Sequence, residues 1–274
     1  MSMLDDDHVY SYTQLSSVDE CPYSFYLQKI DTDDDGNPLE QQDNFFAEHG
    51  TLMHKVLEEW AKGIITKDEM VDRYIELYPD MVTTSPPSFM QTYRQKAYDN
   101  GIFYFEEFDE FPGYTVISAE ERFKIDLPLT DGTTRRFQGV VDLLLRNNET
   151  GKLVIVDHKS KSLKEFKKVR DEMYRQQYLY STYVAQKYGE TPEVLMFNLF
   201  KEGLLDEQLF DKRTYNETLQ WATEKIHEIE DRDFISWLEQ KEEPDFFCNE
   251  ICSVRKYCPN GMLKPQPKGR KKKE

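Results

Sequence analysis

Residues 153–162 read LVIVDHKSKS: four aliphatic residues, then an acid and a base one residue apart. The aliphatic run, Leu153 to Val156, has the composition of a buried strand. In an extended chain residues two apart point to the same face, so Asp157 and Lys159 emerge together at the edge of a hydrophobic layer. A carboxylate beside an ammonium group at such an edge suits the handling of phosphate and metal. Asp142 lies one hairpin earlier, inside the apolar run FQGVVDLLL. A buried aspartate there is costly unless it is ion-paired, hydrogen-bonded or metal-bound. Upstream again, Glu120 is expected to share a strand face with Ser118 and Arg122, with Glu121 on the other face and as its competitor. Two aspartates, a glutamate and a lysine on adjacent strands form an oxygen-rich site of the kind preferred by Mg²⁺ or Mn²⁺. A bland account must make Asp142 a satisfied core residue and Asp157–Lys159 a solvated turn at the same time. The set as a whole favours chemistry.

The elements that would position these residues follow from periodicity. YTVISAEERFKIDLPL, TRRFQGVVDLLLRN and GKLVIVDHK alternate or run apolar as three strands, joined by turn signals at TDGT and NNETG. PEVLMFNLF reads as a further strand, with helices at about 163–189 and 214–240 around it. Before the strands, FFAEHGTLMHKVLEEWAKGI is an amphipathic helix with Gly50, Met53, Leu57, Trp60 or Ala61, and Ile64 on one stripe. Residues 66–110 read as a mostly helical insertion or cover interrupted at TTSPPS, and Ser11, Ser16 or Ser17 could cap short helices near the start. The fold expected is α/β, a mixed central sheet flanked by helices. DTDDDGNPLEQQ mimics a calcium loop, but Gln42 stands where a bidentate glutamate is required, so it reads as a solvated acidic loop.

The chain has 274 residues, enough for one large domain with or without an appendage. Its net charge of −17 argues against passive nucleic-acid binding, because phosphate contacts need local positive charge. The distribution qualifies that: KPQPKGRKKKE at 264–274 reads as a disordered basic tail, either solubilising or in contact with a polyanion. The N-terminus lacks the apolar core of a signal peptide, and no run is long enough to span a bilayer. The expectation is no membrane and a cytoplasmic protein, or one inside a host cell if phage-encoded.

GVVD, a hairpin, then VDHK resembles the PD-(D/E)XK nuclease superfamily, with Asp142 as the first acid and Asp157-x-Lys159 as the second half. Two flanking features are similar to its RecB-like branch: Gly50-x-x-x-His54 on the helix before the sheet, and Gln176-x-x-x-Tyr180 on the helix after it. Residues four apart share a helix face, so Gln176 and Tyr180 reach one groove, with Gln177 as the register competitor. Val141 stands where the family name has proline, a position with no direct chemical task. The resemblance implies a restriction-endonuclease-like fold and metal-dependent phosphodiester hydrolysis. Asp142, Asp157, Glu120 and His54 would hold one or two ions. Lys159 would orient the water, and Gln176 and Tyr180 would contact DNA or support the lysine. Lys161, Lys164, Lys167, Lys168 and Arg170 would supply positive potential outside the cleft.

Four cysteines, Cys21 and then Cys248, Cys252 and Cys258, suit a tetrahedral zinc or an iron–sulfur cluster, and their spacing does not separate the two. The resemblance implies a [4Fe–4S] cluster, as in AddB-like and CRISPR-associated RecB-like nucleases, with zinc as the alternative. One nuclease domain over residues 1–263 is expected, its iron–sulfur segment made of Cys21 and residues 246–260. The function expected is a DNA exonuclease acting on single strands or ends, in repair, recombination, phage or CRISPR-adaptation contexts. The alternatives are a non-catalytic DNA-end-binding subunit and a nuclease for RNA. A helicase or recombination partner stays open, and the chain has no Gly-rich phosphate loop of its own.

Overall fold

A computed structural model of the chain describes residues 7–240 and 243–262; the basic segment 264–274 lies outside the described residues. Five strands form one sheet in the order β1 (Tyr114–Pro128), β2 (Thr134–Asn147), β3 (Leu153–Lys159), β4 (Val194–Leu199) and β5 (Leu204–Leu209). β3 and β4 are parallel, and every other neighbouring pair is antiparallel. The parallel step requires a long crossover, supplied by the short helix α6 (Leu163–Phe166) and the long helix α7 (Arg170–Tyr188).

Helices cover both faces of the sheet, which explains why β3 is buried at six successive positions. On one face Leu144, Leu153, Ile155, Leu195 and Phe197 pack against α1 (Tyr12–Glu20), α2 (Pro22–Lys29), α7 and α8 (Lys212–Asp231). On the other, Leu143, Leu145, Val154, Val156 and Met196 pack against α3 (Phe45–Ala61), α4 (Met70–Met81) and α5 (Tyr93–Glu106). Residues 66–110 are therefore the cover of the second face. The loop between α4 and α5 contains the TTSPPS break, as the prolines dictate.

Local signals set the helix starts. Ser11 caps α1 by accepting from Gln14 N, and Asn44 caps α3 by accepting from Phe46 N and Ala47 N. The apolar stripe of α3 stops earlier than the spacing suggests. The helix ends at Ala61, and Ile64, beyond it, is 65 % exposed. Two expected long helices are broken. The first divides into α6 and α7, and the second ends at Asp231, where Arg232 turns extended and Asp233 caps the short α9 (Phe234–Trp237). β5, a strand the periodicity does not reveal, completes the sheet edge.

Candidate active site

The site lies where β2 and β3 separate. Their ladder ends at the pair Leu143↔Val156, so Asp142 and Asp157 sit just beyond the last bonded rung. Asp142 fills the gap: its Oδ2 accepts from the His158 backbone N–H at 2.8 Å. Asp157 and Lys159 do share a face, the one covered by α7. Lys159 Nζ stands 2.8 Å from Asp157 Oδ2 and donates to Gln176 Oε1 at 3.3 Å. Gln176 Nε2 donates to Asp157 Oδ1 at 3.0 Å and to the Tyr180 hydroxyl at 3.2 Å. One amide thus fixes the acid, the base and the phenol. Gln177 is excluded from this cluster, since it is fully buried and donates to the Met196 carbonyl of β4. The two glutamines, one residue apart on the helix, point to different surroundings.

Glu120 reaches the same place by an irregular backbone. It is one of two non-glycine residues with positive φ among those described, at 50°. Such left-handed residues cost on the order of 1 kcal/mol. The distortion shifts the phase of the strand. Ala119 packs with the α3–α5 cluster, while Phe123, which regular alternation would place beside it, packs with the α7 cluster. The expected partnership of Glu120 with Ser118 is therefore incorrect: Ser118 Oγ donates to Glu121 at 2.7 Å. Glu121 also accepts from Tyr183 and Tyr188 and pairs with Lys187, a bonding set that leaves it facing α7. Glu120 instead faces His54 of α3, whose Nδ1 is 3.5 Å from Glu120 Oε1 and 3.5 Å from Asp142 Oδ2.

His54 is oriented by its other nitrogen. Nε2 lies 3.0 Å from the carbonyl oxygen of His158, which can only accept, so Nε2 carries the hydrogen. Deprotonation then falls on Nδ1 and turns its lone pair toward the carboxylates, the tautomer a metal-binding histidine needs. Burial opposes protonation of His54, but Glu120 and Asp142 outweigh it and raise its pKa. Asp142 is pushed up to about 7, by burial first and then by the charge of Asp157. Lys159 is raised despite burial, by Asp157 and Asp142. Too many negative oxygens are gathered here for the cations present, and protons make up the deficit.

A divalent cation fits that deficit. Donor atoms of His54, Glu120 and Asp142 all lie within 4.8 Å of one another. Asp157 Oδ2 is buried and lacks a hydrogen-bond donor of acceptable geometry, close as Lys159 is. An imidazole and hard carboxylates suit Mg²⁺ or Mn²⁺.

The acids open into a groove of roughly 530 Å³ lined also by Ser11, Thr13, Arg122, Lys124 and Gln138. Arg122 and Lys124 are the groove's arginine and lysine besides Lys159, and both are exposed. Lys124 is legible only once Glu120 is placed, by continuing the alternation. The α1 residues come from too far along the chain for any local pattern. Lys161 and Lys164 are exposed around α6 and do not line the groove. Arg170 is held by Asp206 of β5 at 2.8 Å and stacks on Tyr174, so it is committed to the sheet edge.

The four cysteines converge elsewhere. Cys21, Cys248, Cys252 and Cys258 line one small pocket with Leu27, Phe247 and Val254, and no disulfide joins them. Cys21 lies between α1 and α2. The other three lie in the segment formed by a π turn (Phe247–Ile251), a 3₁₀ turn (Arg255–Tyr257) and the start of α10 (Pro259–Met262).

The sequence pattern of the PD-(D/E)XK nuclease superfamily matches residues 9–259. No curated protein matches the chain. Among solved structures, a crystal structure of SSO0001 aligns with 14 % identity and a TM-score of 0.34, over 91 % of this chain and 96 % of that one.

Proposed function

The chain belongs to the PD-(D/E)XK nuclease superfamily, and from that premise we propose that it is a Mg²⁺- or Mn²⁺-dependent DNA exonuclease of the RecB-like kind. The carrying observation is the meeting of two groups at one groove: His54 and Asp142, with Glu120 beside them, and the Asp157–Lys159–Gln176 cluster. His54, Glu120, Asp142 and Asp157 would hold the ion. Bound there, a divalent ion would lower the pKa of a water and offset charge on the scissile phosphate. Lys159, kept protonated by its carboxylate neighbours, holds the attacking water and stabilises charge developing on the phosphate. Gln176 keeps Lys159 and Asp157 in register, and Tyr180, whose phenol burial holds protonated, orients Gln176. Arg122 and Lys124 contact the phosphates of the incoming strand. The Gly50/His54 and Gln176/Tyr180 pairs, which resemble those of the RecB-like branch, support DNA ends as the substrate.

A [4Fe–4S] cluster at the four cysteines belongs to the same proposal, as does one nuclease domain over residues 1–263. All four thiols line one small pocket, which supports a shared ligand group there. A tetrahedral zinc is the alternative occupant of four such thiols.

Asp157→Ala and Lys159→Ala should each reduce metal-dependent degradation of end-labelled DNA by more than about a thousand-fold with the circular dichroism spectrum unchanged. Full activity in both variants would remove the assignment. DNA binding without cleavage by the wild type would favour the non-catalytic reading, and preference for labelled RNA would reassign the substrate.

A further inference from the structure

Asn44 does two jobs with one side chain. Its Oδ1 accepts from Phe46 N and Ala47 N at 3.1 Å each, capping α3. Its Nδ2 donates to the carbonyl of Ile251 at 3.3 Å, in the residue before Cys252. Two neighbouring contacts reinforce the joint. Gln42 N donates to the Ser253 carbonyl at 2.7 Å, and the rings of Phe46 and Phe246 meet at 5.9 Å. The cysteine segment is thus fastened to the first turn of the helix that carries His54.

α3 is continuous from Phe45 to Ala61, so its start and His54 move as one rod about 15 Å apart. Midway along that rod, His54 Nε2 meets the sheet in its bond to the His158 carbonyl. A displacement of the first turn therefore reaches the imidazole that faces Glu120 and Asp142.

We infer that Asn44 is a positioning residue for the divalent-metal site, clamping the cysteine segment to the helix that presents His54. The inference rests on the metal role proposed above for His54, Glu120 and Asp142. It assigns the thiol pocket a task beyond joining the chain ends: order at Cys248–Cys258 sets how well His54 is aimed.

Asn44→Asp separates the two jobs, because aspartate keeps the capping oxygen and loses the N–H donor. Cys252→Ala loosens the segment from the other side, removing a sulfur that lies 3.5 Å from Ser24 Oγ. Mn²⁺ affinity, read by electron paramagnetic resonance, should fall about ten-fold in each single variant and no further in the double variant. Amide exchange in the first two turns of α3 should rise in all three. Saturating Mg²⁺ should restore the kcat of Asn44→Asp, which a variant damaged in its fold would not do. Wild-type affinity and exchange in Asn44→Asp would overturn the inference, as would additive losses in the double variant or an affinity loss without faster exchange. A wild type that takes up no Mn²⁺ would sink the proposed function instead, and the exchange measurement would then decide the clamp by itself.

Discussion

The two polar regions of this molecule are built on opposite principles. The acid groove is assembled by the sheet: Asp142 and Asp157 sit where the β2–β3 ladder ends, each between buried neighbours. The cysteine pocket is assembled by loops and one-turn helices, packed on a satellite cluster of only Leu27, Leu39, Cys252 and Val254 as its buried members. A scaffold with a large core can carry an electrostatically costly site and stay folded. A segment with almost no core needs its ligands to hold it. The first region should therefore lose activity without losing stability, and the second should lose both.

The sharpest break of that contrast is Asp142→Asn. It keeps an acceptor for the His158 N–H and removes a charge from beside Asp157. Activity should fall by about three orders of magnitude while thermal stability holds or rises, since a buried like-charge contact is relieved. A melting temperature many degrees lower would mean that the groove is structural. Next in size, Cys258→Ser should cost on the order of 3 kcal/mol in denaturant unfolding, because the proposed cluster would link sequence positions 21 and 258, which share one pocket. Unchanged stability would reduce the cysteines to bystanders.

The smallest effect sharpens the comparison from a third place. His49, behind the groove on α3, is bonded to Tyr74 and has its pKa lowered to about 4, mainly by burial. The unfolded chain binds that proton near pH 6.5, so the fold is favoured above 6.5 and loses stability as pH falls toward 4. His49→Gln should flatten the wild-type slope in that window by roughly 1–2 kcal/mol in urea titrations at pH 7 and pH 4.5. Parallel slopes would refute the assignment.

Much of the groove is legible in the sequence because its signals are local. Asp157 and Lys159 obey strand alternation, and Gln176 and Tyr180 obey helical spacing. Glu120 shows where local pattern fails: its left-handed backbone flips the strand's phase and sends Ser118 to Glu121. No composition rule announces that turn. β5 was hidden for another reason, since LLDEQL is short and leaves Leu204, Leu205 and Leu209 exposed, so burial did not write an alternation into it. Lys161 and Lys164 look well placed in sequence, but the chain leaves the groove as soon as β3 ends. Ser11 and Thr13 arrive from the far end of the chain, a contact only the tertiary fold can make.

The central claim is tested most directly by soaking crystals in Mn²⁺ and collecting anomalous diffraction. A peak about 2.1 Å from carboxylate oxygens of Asp142 and Asp157, with His54 Nδ1 in its coordination sphere, is the predicted result. An empty groove at saturating Mn²⁺, or a peak bound only by surface acids elsewhere, would contradict it.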